Sequence, residues 1–115
     1  MYAGRGIRTL LESQHNAWIH AIATLLVLSL GFGLGIARLE WLALVVAVVS
    51  VWTAEAFNTA LELLSDAVSP EFHPLIAKAK DVAAGAVLVS ALGALVVGLL
   101  VFVPHLSQTL EAQPP

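Results

Sequence analysis

Residues 42–66, LALVVAVVSVWTAEAFNTALELLSD, join an uncharged apolar run to an acidic segment and decide the fold of this chain. The acidic half carries three carboxylates and an amide: Glu55, Asn58, Glu62 and Asp66. Neither Gly nor Pro interrupts the stretch, so the pattern predicts one continuous helix over residues 40–68. At 1.5 Å per residue this helix is about 42 Å long, which exceeds a bilayer core of about 30 Å. Its acidic end must therefore emerge from the hydrocarbon.

The composition of the whole chain favours an integral membrane protein. Of its 115 residues, 59% are hydrophobic and only 11% are charged, whereas a soluble domain has roughly 25% charged residues. A net charge of −3 without a long basic run argues against nucleic acid as a partner. The absence of cysteine excludes disulfides and Cys-ligated zinc.

Apolar runs and polar breaks predict a single membrane domain over residues 1–115, built from one surface segment and three spans. The predicted elements are an amphipathic surface helix at 1–16, spans at 17–37, 40–68 and 82–103, a cytoplasmic loop at 69–81 and a frayed tail at 104–115. Pro104 is expected to end the third span, because proline removes a helical donor and clashes with the preceding turn.

The distribution of basic residues predicts the orientation in the membrane. Three spans place the N-terminus and the 69–81 loop on the same side. The basic residues on that side are Arg5, Arg8, Lys78 and Lys80, whereas the other side carries Arg38. The positive-inside rule therefore places the N-terminus, the loop and the adjoining acidic end of the second span in the cytoplasm.

The polar residues of the second span are predicted to form one stripe. At 100° per residue, Glu55, Asn58, Glu62 and Asp66 lie within about 80° of one helical face. Charged groups near the membrane are costly unless paired or hydrated, which favours a functional site. Three acids require cations, and Lys80 and a divalent metal are the candidates. Because Mg²⁺ binds one or two carboxylates together with substrate phosphates, the stripe indicates a phosphate-bearing ligand.

The order of the acids along the helix suggests phosphoryl transfer to a lipid. Glu55, nearer the membrane, is placed to accept a proton from a lipid hydroxyl, and Glu62, nearer the water, to bind metal. The alternative is a non-enzymatic helical oligomer that handles ions or protons with Glu55 as its intramembrane carboxylate. Such a protein has no use for Glu62, Lys80 and Asp81 on the water side.

The segment EAFNTALELLSD (residues 55–66), followed by SPEFHPLIAKAKDVAAGAVLV (residues 69–89), resembles the small bacterial membrane lipid kinases of the prokaryotic diacylglycerol kinase and undecaprenol kinase family. The resemblance extends from Tyr2 to about Val103. It implies an all-α membrane protein with three transmembrane helices per protomer, an N-terminal surface helix and a homotrimeric assembly in the bacterial cytoplasmic (inner) membrane. It also implies that ATP and Mg²⁺ serve to phosphorylate a membrane lipid alcohol at sites between protomers.

The same resemblance implies roles for individual residues. Glu55 matches the catalytic base, Asn58 a residue that orients the reacting groups, and Glu62 the metal-binding carboxylate. The implied nucleotide contacts are Glu62, Asp66, Glu71, His73, Lys80, Asp81 and Tyr2. The implied lipid contacts are Arg8, Asn16, His20 and Glu55. For His20 a hydrogen bond within the helix bundle is the alternative, and Glu71 and His73 are alternatively solvated loop residues.

One position departs from the family pattern. Gln14 stands where the diacylglycerol kinases carry a second metal-binding glutamate, and an amide offers a carbonyl oxygen without the charge. The Asn16-x-x-x-His20 pattern and the His73-Pro74-Leu75 tract look more like the undecaprenol kinase branch. The sequence therefore favours undecaprenol over diacylglycerol as the lipid alcohol.

Overall fold

A computed structural model describes residues 1–13 and 15–114. The helices in this part of the chain are α1 (Tyr2–Ser13), α2 (His15–Leu34), α3 (Arg38–Val68) and α4 (Pro74–Glu111). Helices α2, α3 and α4 are each long and apolar enough to cross a membrane. The molecule measures 64 × 32 × 23 Å, so its long axis exceeds a bilayer core of about 30 Å. The predicted all-helical membrane protein with three spans is confirmed.

Helix α1 is short and amphipathic. It buries Leu10, whereas Arg8 and Glu12 form an exposed ion pair at 2.7 Å. The two charged residues are four positions apart and therefore neighbours on one helical face. The helix thus presents one apolar and one charged side, as predicted for the N-terminal segment.

A tight turn joins α2 to α3 and ends the first span at Leu34, three residues before the predicted boundary at residue 37. Gly35 has a φ of +62°, a conformation that favours glycine. The N–H of Ile36 donates to the carbonyl of Gly31 at 3.3 Å, which closes a Schellman-type end. This turn lets α3 begin at Arg38 and run antiparallel to α2.

The buried apolar core lies at the end of the bundle that carries this turn. It contains Ile36, Leu44, Val101 and Phe102, which come from the turn, α3 and α4. Most other large apolar side chains are exposed on the isolated chain. Such exposure suits a membrane protein, since lipid tails solvate apolar side chains as well as a protein core does.

The structure corrects the predicted bounds of the third span. Helix α4 begins at Pro74 and continues through Pro104 to Glu111, so residues 74–81 are helical and most of the predicted tail is helical. Pro74 is tolerated because the first-turn N–H groups have no intrahelical partner. An internal proline costs roughly 3 kcal/mol, and the burial of Val101 and Phe102 together with a contact from His105 to Glu40 holds α4 helical past Pro104.

Candidate active site

The polar stripe of α3 passes from the protein interior to the solvent. Glu55 is fully buried and Asn58 is 6% exposed, whereas Glu62 is half-buried and the Asp66 side chain is 75% exposed. The predicted order of the acids along the helix therefore corresponds to a gradient of burial. A carboxylate buried like Glu55 requires hydrogen bonds or a counter-charge.

Glu55 meets His20 of α2 in the interior of the bundle. The Nε2 atom of His20 lies 3.2 Å from Glu55 Oε2. Thr24, one turn further along α2, donates to the carbonyl of His20 at 2.7 Å and accepts from the Trp52 indole N–H at 3.0 Å. The rings of His20 and Trp52 also pack edge to face, with their centroids 6.2 Å apart. These contacts join α2 to α3 at the level of Glu55.

Three buried oxygens on one turn of α3 have no hydrogen-bond partner among the residues that the structure describes. They are Glu55 Oε1, Asn58 Oδ1 and Thr59 Oγ1. Residues three and four positions apart share a helical face, so these oxygens line one side of the turn. A buried polar atom without a partner is costly. The turn is therefore suited to receive a donor, such as a hydroxyl, a water molecule or a cation.

Thr59 is the residue that sequence reasoning missed at this site. It is only 3% exposed and follows Glu55 by four residues, which places it on the same face of α3. The helical spacing was visible in the sequence. Its burial was not, because that depends on the neighbouring helices.

Polar contacts at the solvent end of the stripe bring two further pairs of predicted residues together. The Asn58 side-chain amide donates to Glu62 Oε1 at 3.4 Å. Lys80 of α4 lies 3.7 Å from Asp66 Oδ1, and their side chains are 40% and 75% exposed. An exposed ion pair contributes about 0.2–1 kcal/mol, so it does not hold Lys80 strongly. Lys80 thus lies beside the solvent end of the stripe and is only weakly held there.

The described residues offer a small set of metal ligands at this site. No three His, Asp or Glu side chains in residues 1–13 and 15–114 converge as a metal-binding group. Glu62 contributes a carboxylate and Asn58 a neighbouring amide oxygen. This set fits a Mg²⁺ ion that takes one or two protein carboxylates and completes its shell with phosphates and water. Gln14, the predicted second metal contact, lies outside the described residues.

The other predicted ligand residues lie on the surface of the described chain. Exposed side chains are found at Tyr2, Asn16, Glu71 and Asp81. Arg8 is paired with Glu12, and Arg5 lies over the Tyr2 ring at 4.8 Å. His73 caps α4, since its Nδ1 accepts from the N–H of Leu75 at 3.2 Å. This capping contact engages Nδ1 of the His73 ring and not its Nε2.

Two open apolar grooves flank α3 beside the stripe and share Phe57. The groove between α3 and α4 measures about 600 Å³ and reaches Asn58 and Ala86. The groove between α1 and α3 measures about 690 Å³ and is lined by Leu10 and Trp52 among others. Apolar, open surfaces of this kind suit lipid chains or neighbouring helices.

Comparison with known proteins gives matches over most of the chain. The model of the prokaryotic diacylglycerol kinase family matches residues 1–102. The undecaprenol kinase of Bacillus subtilis (strain 168) is 38% identical over 106 residues, which cover 92% of this chain and 86% of that protein. The diacylglycerol kinase of Synechocystis sp. is 34% identical over 106 residues, covering 91% of this chain and 61% of that longer protein.

A match at lower identity covers a similar share of this chain. The diacylglycerol kinase of Escherichia coli (strain K12) is 25% identical over 104 residues, which cover 90% of this chain and 85% of that protein. The matched residues include all of α2 and α3 and thus the entire polar stripe. The fold, the buried carboxylate and these matches agree, and this chain belongs to the prokaryotic diacylglycerol kinase family.

Proposed function

We propose that this protein is an ATP-dependent lipid kinase that phosphorylates the hydroxyl of a membrane lipid alcohol. The observation that carries the proposal is the buried carboxylate of Glu55, which keeps one oxygen without a partner in the described chain. Two turns along the same helix, Glu62 lies at the boundary with solvent. Lipid phosphorylation requires a base that acts on the lipid hydroxyl and a carboxylate near the water that binds the metal of the nucleotide. Glu55 is the proposed base, and Glu62 is the proposed metal-binding carboxylate.

In the proposed reaction, the lipid hydroxyl donates its hydrogen bond to Glu55 Oε1. As the hydroxyl oxygen bonds to the γ-phosphorus of ATP, the O–H bond breaks and its proton passes to Glu55. The bond between the γ-phosphorus and the bridging oxygen breaks, and ADP leaves with that oxygen. Base catalysis of this kind contributes typically 10²- to 10⁴-fold to the rate. Asn58 holds Glu62 in place and orients the reacting groups.

The nucleotide would bind at the solvent end of the stripe. When bound, Mg²⁺ would be held by the Glu62 carboxylate, with the uncharged amide oxygen of Gln14 as a weaker second contact, and it would neutralise the phosphates. Lys80 can leave its exposed pair with Asp66 to contact a phosphate oxygen, since a charge-assisted contact is stronger. The further proposed nucleotide contacts are Glu71, His73, Asp81 and Tyr2. Arg8 and Asn16 are the proposed contacts for the lipid head.

For the substrate we favour undecaprenol, with diacylglycerol as the alternative. The 38% identity to a protein named undecaprenol kinase supports this preference. Two other relatives are named diacylglycerol kinase. Both lipids present a primary hydroxyl on an apolar tail, so the apolar groove beside Phe57 suits either.

The proposed assembly is a homotrimer in the bacterial inner membrane with a cytoplasmic N-terminus. The exposed apolar faces and the open grooves on α3 support association with further copies. The basic residues near α1 and the start of α4 support the orientation. Crosslinking in membranes that yields trimers would agree with this assembly, whereas monomers and dimers alone would contradict it.

The test of the activity uses the purified full-length chain in detergent micelles or bicelles. The protein is incubated with γ-labelled ATP, Mg²⁺ and either undecaprenol or diacylglycerol, and the lipid fraction is analysed for label. We expect labelled lipid, with the greater turnover on undecaprenol. The Glu55→Gln variant gives the background of the assay. If the wild-type protein labels neither lipid above this background, the kinase proposal is wrong.

A further inference from the structure

We propose that His20 is a positioning residue for Glu55, that Trp52 packs against its imidazole and that Thr24 joins Trp52 to its backbone carbonyl. This inference rests on the proposed role of Glu55 as the base. It replaces the expectation that His20 contacts the lipid. We call these residues the imidazole clamp: His20, Thr24 and Trp52.

The proposed role of Glu55 gives its contact with His20 a direction. A base is ionised and its carboxylate only accepts hydrogen bonds, so in this role the Nε2–H of His20 donates to Glu55 Oε2 across 3.2 Å. Within the described chain, Glu55 Oε1 receives no hydrogen bond. The imidazole therefore anchors one oxygen of the base and leaves the other for the lipid hydroxyl.

The burial of both side chains makes this contact important. Glu55 is 0% exposed and the His20 side chain is 16% exposed. A hydrogen bond to a charged group is stronger than a neutral one, and leaving a buried charge without its donor is costly. Without His20, the carboxylate would lose its donor and turn towards another, which would move Oε1 away from the position of the hydroxyl.

The clamp contacts His20 at its backbone carbonyl and at its ring. Trp52 precedes Glu55 by three residues, so both lie on the same face of α3. Its indole N–H binds Thr24 at 3.0 Å, and Thr24 binds the carbonyl of His20 at 2.7 Å. The rings of Trp52 and His20 also pack edge to face. These contacts fix the distance between α2 and α3 at the level of the base.

Steady-state kinetics of variants distinguish positioning from lipid binding. The changes are His20→Leu, which removes the donor, His20→Gln, which keeps an N–H donor, and Trp52→Phe, which keeps an aromatic ring without the N–H. We expect His20→Leu to lower kcat by about 10- to 100-fold, because one hydrogen bond to a charged group is lost. The KM values for lipid and for ATP should stay within about twofold of the wild-type values. His20→Gln should recover most of the lost kcat, and Trp52→Phe should lower kcat by a smaller factor.

A second His–Glu contact in the same chain supplies the matched control. His105 contacts Glu40 at 3.0 Å at the other end of α3, far from the stripe. His105→Leu should leave kcat and both KM values near those of the wild type. Equal losses in His20→Leu and His105→Leu would show a general structural effect and overturn the proposal.

Other outcomes are also decisive. A raised lipid KM with an unchanged kcat in His20→Leu would assign His20 to lipid binding. Gel filtration and thermal unfolding show whether His20→Leu folds. If it does not, the kcat values of Trp52→Phe and His20→Gln test the proposal instead. A wild-type kcat in Trp52→Phe overturns the clamp. Failure of the wild type to label any lipid would instead contradict the proposed function, so the two failures are distinguishable.

Discussion

The Nε2 atom of His105 lies 3.0 Å from both carboxylate oxygens of Glu40 and so joins the last third of α4 to the first turn of α3. Glu40 also accepts from the N–H of Ala37 at 3.0 Å. One carboxylate therefore caps α3 and holds α4 directly after Pro104. This contact and the core around Phe102 stabilise the end of the bundle opposite the polar stripe.

Removal of this contact should lower stability without affecting turnover. We expect His105→Leu to lower the thermal unfolding midpoint in detergent by about 2–5 °C, because the half-buried Glu40 loses its partner on α4. Gln108→Ala, on the same helix, is the control. Circular dichroism measures the thermal unfolding midpoints of both variants. Equal midpoints for His105→Leu and Gln108→Ala would contradict the prediction.

The two acids of the stripe should differ in what they do for the reaction. Glu55→Gln should reduce kcat by about 10²-fold or more, the contribution of a general base, while ATP binding persists. Glu62→Gln should weaken the binding of ATP with Mg²⁺. Turnover and equilibrium nucleotide binding measure the two effects separately. A loss of ATP binding in Glu55→Gln as severe as in Glu62→Gln would show that the roles are misassigned.

The two lysines at the start of α4 should also differ. Lys80 lies beside Asp66 of the stripe, whereas Lys78 is two residues away on a different side of the helix and exposed. Lys80→Ala should raise the KM for ATP by about tenfold, because a charge-assisted contact to phosphate is lost. Lys78→Ala should leave it nearly unchanged. Equal KM values for the two variants would argue against a contact between Lys80 and the nucleotide.

The close approach of α2 and α3 at their turn predicts a steric effect. A Cβ atom on Gly31 would lie 2.6 Å from a ring carbon of Trp41, whereas one on Gly33 would meet nothing within 4 Å. Gly31→Ala should therefore destabilise the fold by about 1–3 kcal/mol through overpacking. Gly33→Ala is the matched control on the same helix. Denaturant titration in micelles compares the two, and equal midpoints would mean that Trp41 moves aside at little cost.

The sequence predicted the helical membrane architecture because its signals are local. Within a bilayer every backbone group must find its partner in the same segment, so an apolar run of sufficient length becomes a helix. The spacing of Glu55, Asn58, Glu62 and Asp66 likewise sets a common face through the geometry of a single helix. The prediction that Pro104 ends the third span was wrong, because contacts between α4 and α3 outweigh the cost of a proline inside α4.

What the sequence determined by itself was thus the three spans, the polar stripe and the order of its acids along α3. Only the tertiary structure decided that His20 lies against Glu55, that Trp52 and Thr24 contact His20, and that Thr59 is buried beside Glu55. These contacts join residues that are far apart in the chain or depend on neighbouring helices. Helical periodicity sets the direction of a side chain, but the packing of helices sets which side chains it meets.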